Sequence, residues 1–540
     1  MSRGAVLAGF LALLVTAPGG GSARAQGEDA ASVQRALQFL RGQAAGLQPG
    51  EAALAGLAMV KAEVPPTDPG LAACLRIVDG RFAGSAYAPQ LGGGQGQAGG
   101  PAIYEAAVTA LLYANLDPVA YRPRIEAAAQ YLMAGQRPNG CWDYNGRTAG
   151  DTSISQYAVL GLWESENAGV RVPPRVWDRA AAWYLSTQGA DGGWAYHRDE
   201  AHYRDTVSMT AAGVGSLLIC QRQLALARSA AQDANPLLTP VGTDASSPGR
   251  YRPETSNAAM NAGITRGVAW IGARFNPAAK ELMGQSAYYG LYGIERLGAL
   301  GDRATVGGVD WFARGRQFIV ATQGGDGRWT DQHGDVPNTA WAMLFLVRST
   351  AKSLQRIEIK RLGAGMLLGG RGLPKDLSSL TVAGGRVLAR PMNGAVEGML
   401  SVLEDPRAEN ADGALAGLIA RYETEGPAVL RPYLPRFRKL LADRDPGIRA
   451  AAAWALGRSG RLDTAPDLIA ALADPDDTVV GQARAGLQIL SRKIDGLGPP
   501  AGADAAAKAA AARRWRDWYR DATAIEGGAG SPPAPTAASP

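Results

Sequence analysis

Residues 323–329 read Gln323-Gly-Gly-Asp-Gly-Arg-Trp329. A Gln followed by Gly at +4 and Trp at +6 recurs in Gln136-Arg-Pro-Asn-Gly-Cys-Trp142 and in Gln188-Gly-Ala-Asp-Gly-Gly-Trp194. An aromatic stands five residues before each Gln, at Tyr131, Trp183 and Phe318, and two copies add Arg179-Ala180 and Arg314-Gly315. Half copies follow the same spacing at Arg266-Gly267-x-x-Trp270-Ile271 and Arg35-Ala36-x-x-Phe39-Leu40. Three full and two half copies exclude coincidence and make the chain a repeat protein.

Each copy has one layout. Apolar residues at i, i+3 and i+4 run into the Gln, a glycine turn stops that helix, and a polar residue, often Asp, opens a second helix. The spacing predicts outer helices near residues 35, 71, 127, 179, 266 and 314. It predicts inner helices opening near Glu51, Pro101, Asp151, Asp205, Gln285 and Asp335. A unit of about 50 residues cannot bury its own apolar face, so the six hairpins must stack. In a closed ring the inner helices form a barrel with their N-termini around one mouth.

The Gln–Gly–Trp phrases resemble the QW repeats of the squalene cyclase and protein prenyltransferase superfamily. That resemblance covers roughly residues 30–350 and implies an α/α toroid in which Gln136, Gln188, Gln323, Trp142, Trp194 and Trp329 staple helices to turns. Further on, Asp443 and Asp474 sit 31 residues apart within matching apolar patterns, with a fainter copy at Leu403-Glu-Asp405-Pro406. These resemble HEAT repeats, which bind partners or brace a neighbour. The expected class is therefore all-α: a toroid of about six hairpins, then a short HEAT-like α-solenoid. The expected divisions are a toroid over 30–350, a linker over 351–391, HEAT-like repeats over 392–495, a terminal helix over 501–522 and a disordered tail over 525–540.

Residues 1–25 have the form of an export signal: Arg3, an apolar run from Ala5 to Val15 too short to span a bilayer, and Ala23-Arg24-Ala25 before the cut. Cleavage after Ala25 predicts a periplasmic or secreted protein that is not integral to the membrane. The formal charge of +6 falls to +4 without Arg3 and Arg24, which is too mild for a nucleic-acid partner. Three cysteines, Cys74, Cys141 and Cys220, mean that the fold does not depend on a disulfide framework, and the sequence leaves open one pair with a leftover thiol.

The chemistry turns on three aspartates, Asp151, Asp205 and Asp335. Their ordinary role is to cap a helix, worth about 1 kcal/mol. In hopene cyclases the proton donor lies in D-x-D-D-T-A at an inner helix start, and Asp335-Val-Pro-Asn-Thr-Ala340 aligns with it. Its middle Asp is Pro337 here and its last is Asn338, so the acid cluster is missing. The Asp–Cys form of the oxidosqualene enzymes and the Cys-Gly-Glu-Gln thioester are absent too. Prenyltransferases hold zinc through Asp, Cys and His. Cys141, Asp151 and His333 would be the matching types, but the D-x-C motif is missing. The reading is an exported protein that binds a ligand or protein partner through the toroid mouth and the HEAT array, with no predicted cofactor and zinc as the one metal to test. The alternative is a toroid enzyme acting on lipid, isoprenoid or polysaccharide, with Asp151, Asp205, Asp335, His202 and Tyr203 as catalytic candidates. Expected mouth lining is Tyr104, Glu105, Asp151, Arg204, Asp205, Tyr288, His333, Asp335, Asn338 and Trp341. An insertion over 223–262 is a candidate plug for that mouth.

Overall fold

A computed structural model describes residues 22–527, apart from 85, 90–99, 145–146, 233–250, 285, 355–379, 384–385, 409, 492–495 and 501–502. Most of the expected leader, most of the linker and the tail beyond 527 lie outside the described residues.

The twelve expected toroid helices are present. The outer set is α1 (Ser22–Gln43), α3 (Pro69–Asp79), α5 (Arg122–Ala134), α7 (Pro174–Thr187), α9 (Asn257–Gly272) and α12 (Trp311–Thr322). The inner set is α2 (Pro49–Lys61), α4 (Gly100–Leu116), α6 (Thr152–Asn167), α8 (Val207–Gln232), α11 (Ala287–Leu300) and α13 (Asp335–Leu346), with a four-residue α10 (Lys280–Met283) ahead of α11. Successive inner helices touch in the order α2, α4, α6, α8, α11, α13, and α13 returns to α2. The hairpins therefore close into a ring. Inner helices are buried nearly all round, as helices flanked on every side must be. Two-stranded ribbons at β1 (Phe82–Ala83) with β2 (Ala86–Tyr87), between α3 and α4, and at β3 (Thr305–Val306) with β4 (Val309–Asp310), between α11 and α12, do not alter the all-α class.

The Gln–Gly–Trp phrase is a staple with one geometry. Each indole N–H donates back ten residues: Trp142 to Leu132 O at 2.7 Å, Trp194 to Tyr184 O at 2.9 Å and Trp329 to Ile319 O at 2.8 Å. Each Gln amide spans its own turn and the next outer helix. Gln136 donates to Gly140 O and Val176 O, Gln188 to Gly192 O and Gly263 O, and Gln323 to Gly327 O and Ser32 O. The third staple thus joins the last hairpin to α1 and closes the ring. Arg35 on α1 donates back to the Gln323 carbonyl, as Arg266 does to Gln188. The turn glycine is forced: Gly327 has φ +87°, and a Cβ there would lie 2.4 Å from Arg35 O.

A second core follows. Ribbon β5 (Leu380–Ala383) and β6 (Arg386–Ala389) precede α14 (Val396–Glu404), α15 (Ala411–Glu425), α16 (Leu434–Leu440), α17 (Pro446–Arg458), α18 (Ala465–Ala471) and α19 (Asp477–Ser491). These pack as three helix hairpins around Trp454, Leu456 and Leu468. Arg449 grips Asp474 of the next turn through two bonds of 2.8 and 2.9 Å, and Arg438 grips Asp467 at 2.7 Å. The last helix, α20, runs Ala505–Gly527, so it ends later than the expected 522 and enters the expected tail. Trp515 and Ala512 bury against the array.

The insertion does not plug the mouth where it is described. Residues 223–232 extend α8 past the end opposite the mouth. On the return, Tyr251, Glu254 and Thr255 dock on Asp178 near the N-terminus of α7, also at that far end. Residues 233–250 lie outside the described residues. Among the described residues no helix is long and apolar enough to cross a membrane.

Candidate functional site

Only one of the three aspartates caps its helix. Asp151 is 2% exposed and accepts from Ile154 N at 2.8 Å. At α8 the cap is Thr206, whose Oγ1 accepts from Met209 N at 3.2 Å; Asp205 lies one residue earlier and pairs with Arg198 at 2.6 Å. It faces the outer turn, where a Cβ on Gly193 would strike it. Burial and the neighbouring Asp191 carboxylate raise its pKa, opposed by Arg198. Asp335 is already the first residue of α13, and its carboxylate takes Arg328 at 2.8 Å and Thr330 at 2.7 Å rather than backbone N–H groups. The expectation that all three cap and line one pocket is corrected: Asp205 lies one residue before the cap of its helix, and α13 starts one residue early, which leaves Asp335 just after its cap, Gly334.

Asp151 also holds His197, whose Nε2 lies 3.2 Å from Asp151 Oδ2 while Nδ1 lies 3.2 Å from Gly150 O. Burial disfavours the imidazolium, but the Asp151 carboxylate outweighs it and raises the His197 pKa. Both ring nitrogens are engaged, so His197 is not placed as a free base beside a nucleophile. Next to it, Tyr203 packs on His197, His202 and Tyr196 at 5.2, 4.2 and 6.0 Å between ring centres. His202 is exposed and approaches Glu200 at 3.6 Å; Arg204 is exposed.

The remaining lining candidates divide. Tyr104 donates to Ser153 Oγ at 2.6 Å and sets its ring edge against Tyr157. Glu105 turns to the β1–β2 ribbon, accepting from Tyr87 at 2.7 Å and pairing with Arg81 at 3.0 Å; burial raises its pKa against those two partners. Tyr288 points outward to Thr322, Phe318 and Trp329 and is not a mouth residue. Its neighbour Tyr289 occupies the axis instead. Asn338 is a buried latch between Ser286 and Gly334 O. His333, at the rim, meets Trp341 edge-on at 5.5 Å; its partial desolvation there lowers its pKa. Cys141 is buried beside Asn139, where desolvation pushes its thiol up to about 12. Among the described residues Cys141, Asp151 and His333 do not converge as metal ligands; the group that does is His197, Asp199 and Glu200.

Below the mouth the barrel is filled. Trp341 of α13 donates across the ring to Tyr157 of α6 at 2.9 Å, and these two helices are diametrically opposite. Tyr289 stacks on Tyr157 with ring centres 6.3 Å apart, meets Ser153 Oγ at 2.6 Å and accepts from Gln156. Gln156 in turn accepts from Arg296 at 2.5 Å, whose guanidinium lies over Tyr292. At the far end a short helical segment, 349–354, lies across the helix C-termini. Lys61 donates to Ser349 O and Ser353 Oγ, Ser353 donates to Glu164, and Glu295 takes the Thr350 N–H and hydroxyl. Every one of these groups is buried, so the segment is a polar stopper with its hydrogen bonds made internally.

Sequence reasoning passed over the axis residues Ser153, Gln156, Tyr157, Tyr289, Tyr292 and Arg296. The signal was available: 153, 156, 157, 160 and 164 on α6, and 289, 292 and 296 on α11, recur at helical spacing, so each set shares one face. It also passed over Ser155, Thr210 and Thr339, whose hydroxyls accept from Trp142, Trp194 and Trp329 N–H and fix each turn on its inner helix.

A family model of HEAT repeats matches residues 396–488. No curated protein matches the chain. Two solved structures, both of the type II terpene cyclase MstE from Scytonema, resemble it in fold. The complex with the product merosterolic acid A gives 13% identity and TM-score 0.39, covering 61% of this chain and 99% of that one. The complex with the substrate geranylgeranyl dihydroxybenzoate gives 14% identity and TM-score 0.38, covering 62% and 99%. The C-terminal part of the chain is thus a HEAT-type array, joined to a closed ring of six helix hairpins.

Proposed function

We propose that this is an exported binding protein: the ring mouth receives a ligand or protein partner, and the HEAT array offers a second surface for a protein. The Trp341–Tyr157 bond across the barrel carries this reading. A polyene being cyclised must lie folded inside a dry cavity beside a strong acid, and here that volume is taken by opposed side chains. The position of the cyclase donor is Pro337, and Asp335 is tied to an arginine. What stays accessible is the rim, where the half-buried rings of Tyr144, Tyr196 and Tyr203 stand beside exposed His202. Aromatic faces with polar tips suit stacking and hydrogen bonding to a saccharide or peptide.

The test uses the full chain. A photo-crosslinking residue replacing Tyr203, and another replacing Arg407 on the array, should each give discrete adducts in the native envelope fraction, while one replacing the exposed Val119 in the α4–α5 turn, at the end opposite the mouth, should not. The purified protein should leave squalene unchanged. A polycyclic product, abolished by Asp335→Ala, would overturn the binding reading and establish the enzyme alternative.

A further inference from the structure

We propose that the mouth loop His197-Arg-Asp-Glu-Ala-His202 binds one divalent transition-metal ion of the zinc type through His197, Asp199, Glu200 and His202. One donor atom each from His197, Asp199 and Glu200 already lies within 4.8 Å of the others. His202 Nε2 is 3.6 Å from Glu200 Oε2 at the edge of this group, and being exposed it is able to turn in as a fourth ligand. Two imidazole nitrogens and two carboxylate oxygens suit zinc and its neighbours in four-coordination. Calcium and magnesium favour all-oxygen shells, which this set is not.

The way His197 is held is a separate observation pointing the same way. Metal-binding histidines almost always give their second ring nitrogen to a carboxylate or a backbone carbonyl, which fixes the ring. His197 is 4% exposed and has both partners in place, Asp151 at one nitrogen and Gly150 O at the other. An incoming ion has to displace one of the two; it displaces the Gly150 O contact at Nδ1, which leaves Asp151 as the orienting partner at Nε2. Asp151 is itself immobilised as the α6 cap, so the anchor ligand is set by buried structure while Asp199 and His202 are exposed and free to close in.

Two arginines could oppose a cation here. Arg198 is committed elsewhere, to Asp205, Thr187 O and Gly193 O. Arg147 pairs with Glu200, and its side chain is 41% exposed, so an incoming ion can send it to solvent at little cost. These residues are not the Cys141, Asp151 and His333 set, and the proposal needs no ligand in the mouth.

The full chain, stripped with a chelator, is titrated with zinc against a chromophoric competitor, and cobalt is added separately to read its visible bands. One equivalent should bind. His202→Gln and Glu200→Gln change partly or fully exposed side chains and should each weaken binding at least about tenfold. Asp151→Asn keeps a good cap and should weaken it about 10- to 100-fold by removing the orienting carboxylate. A stoichiometry no higher than that of the Asp199→Asn, Glu200→Gln, His202→Gln triple variant overturns the site, as does equal affinity in all the variants. Crosslinking at the mouth without bound metal would sink this proposal alone and leave the binding reading standing.

Discussion

One side chain staples the seam of the ring, and removing it should loosen the ring at that place. Gln323 is bonded at 2.9 Å to Ser32 O on α1 and at 2.9 Å to Gly327 O in its own turn, and it accepts from Arg35. A net hydrogen bond is worth about 0.5–1.5 kcal/mol, and the exposed Arg35 contact adds little, so Gln323→Ala should cost ~1–3 kcal/mol. Gln136→Ala removes two bonds of the same kind, to Gly140 O and Val176 O. The two sites differ in what remains. Beside Gln136 a second staple persists, since Trp183 donates to Ala149 O at 2.9 Å from the next outer helix. At the seam the matching position on α1, four residues past Arg35, is Phe39, which has no N–H to give, and a polar link that remains between α12 and α1 is the Arg316–Asp29 pair at 2.6 Å, nearer the start of α1. Loss of Gln323 should therefore appear as local detachment of α1. Native-state hydrogen exchange, resolved by peptide, should show α1 amides exchanging about 5- to 150-fold faster, at tenfold per 1.4 kcal/mol. The HEAT helices should be unchanged. Unaltered α1 exchange in Gln323→Ala, or the same acceleration in Gln136→Ala, would refute the view that this residue locks the ring.

Three further outcomes follow from the same repeat logic. Trp270 donates to Asp191 Oδ2 at 2.7 Å across the second turn, so Phe39→Trp should let α1 reach Asp326 in the equivalent place and raise stability by ~1 kcal/mol, read as a higher denaturation midpoint. Gly327→Ala and Gly308→Ala both place a side chain at positive φ, +87° and +79°. The second meets no atom within 4 Å and should cost only the left-handed strain of ~1–2 kcal/mol, whereas the first strikes Arg35 O and should cost clearly more in the same denaturation assay. In the array, burial opposes ionisation of Asp474, but Arg449 and the Asp476 N–H outweigh it and hold its pKa below the ordinary 3.8. A lowered acid contributes stability above its unfolded pKa and loses it as pH falls through the folded value. Asp474→Asn should thus unfold the array earlier than the parent at neutral pH, with the gap shrinking once the pH drops below about 4.

The fold was legible because its signals repeat. Gln323, Gly327 and Trp329 declare one staple, and the copies at 136 and 188 confirm its spacing without any need to know what the staple joins. The site was less legible because a helix turns 100° per residue, so a boundary wrong by one residue turns a side chain onto a different face. Tyr288 and Tyr289 show this: both are aromatic and both are buried, yet one braces the outer wall and the other fills the axis. Asp205 and Thr206 show it again, since either residue type makes a good cap. The far-end stopper escaped notice for another reason. Ser349, Thr350 and Ser353 carry no pattern of their own, and only their partners Lys61, Glu164 and Glu295, distant in sequence, give them a role.

That stopper is also where the leash to the array begins. Residues 349–354 run into the first four positions of the expected linker, so cork and cord are one piece of polypeptide. Tension exerted on the HEAT array, for example by a partner fixed to a surface, would be shared between the Arg484–Asp302 ion pair, which ties the array to the ring at 2.6 Å, and Ser353 and Thr350, which pass it to Glu164 and Glu295. Those bonds join the cord to two different staves of the barrel, which spreads a pull over the ring rather than peeling off α13. The polar character of the far end thus has a mechanical meaning: an apolar cork could slide, whereas this one is tied in place.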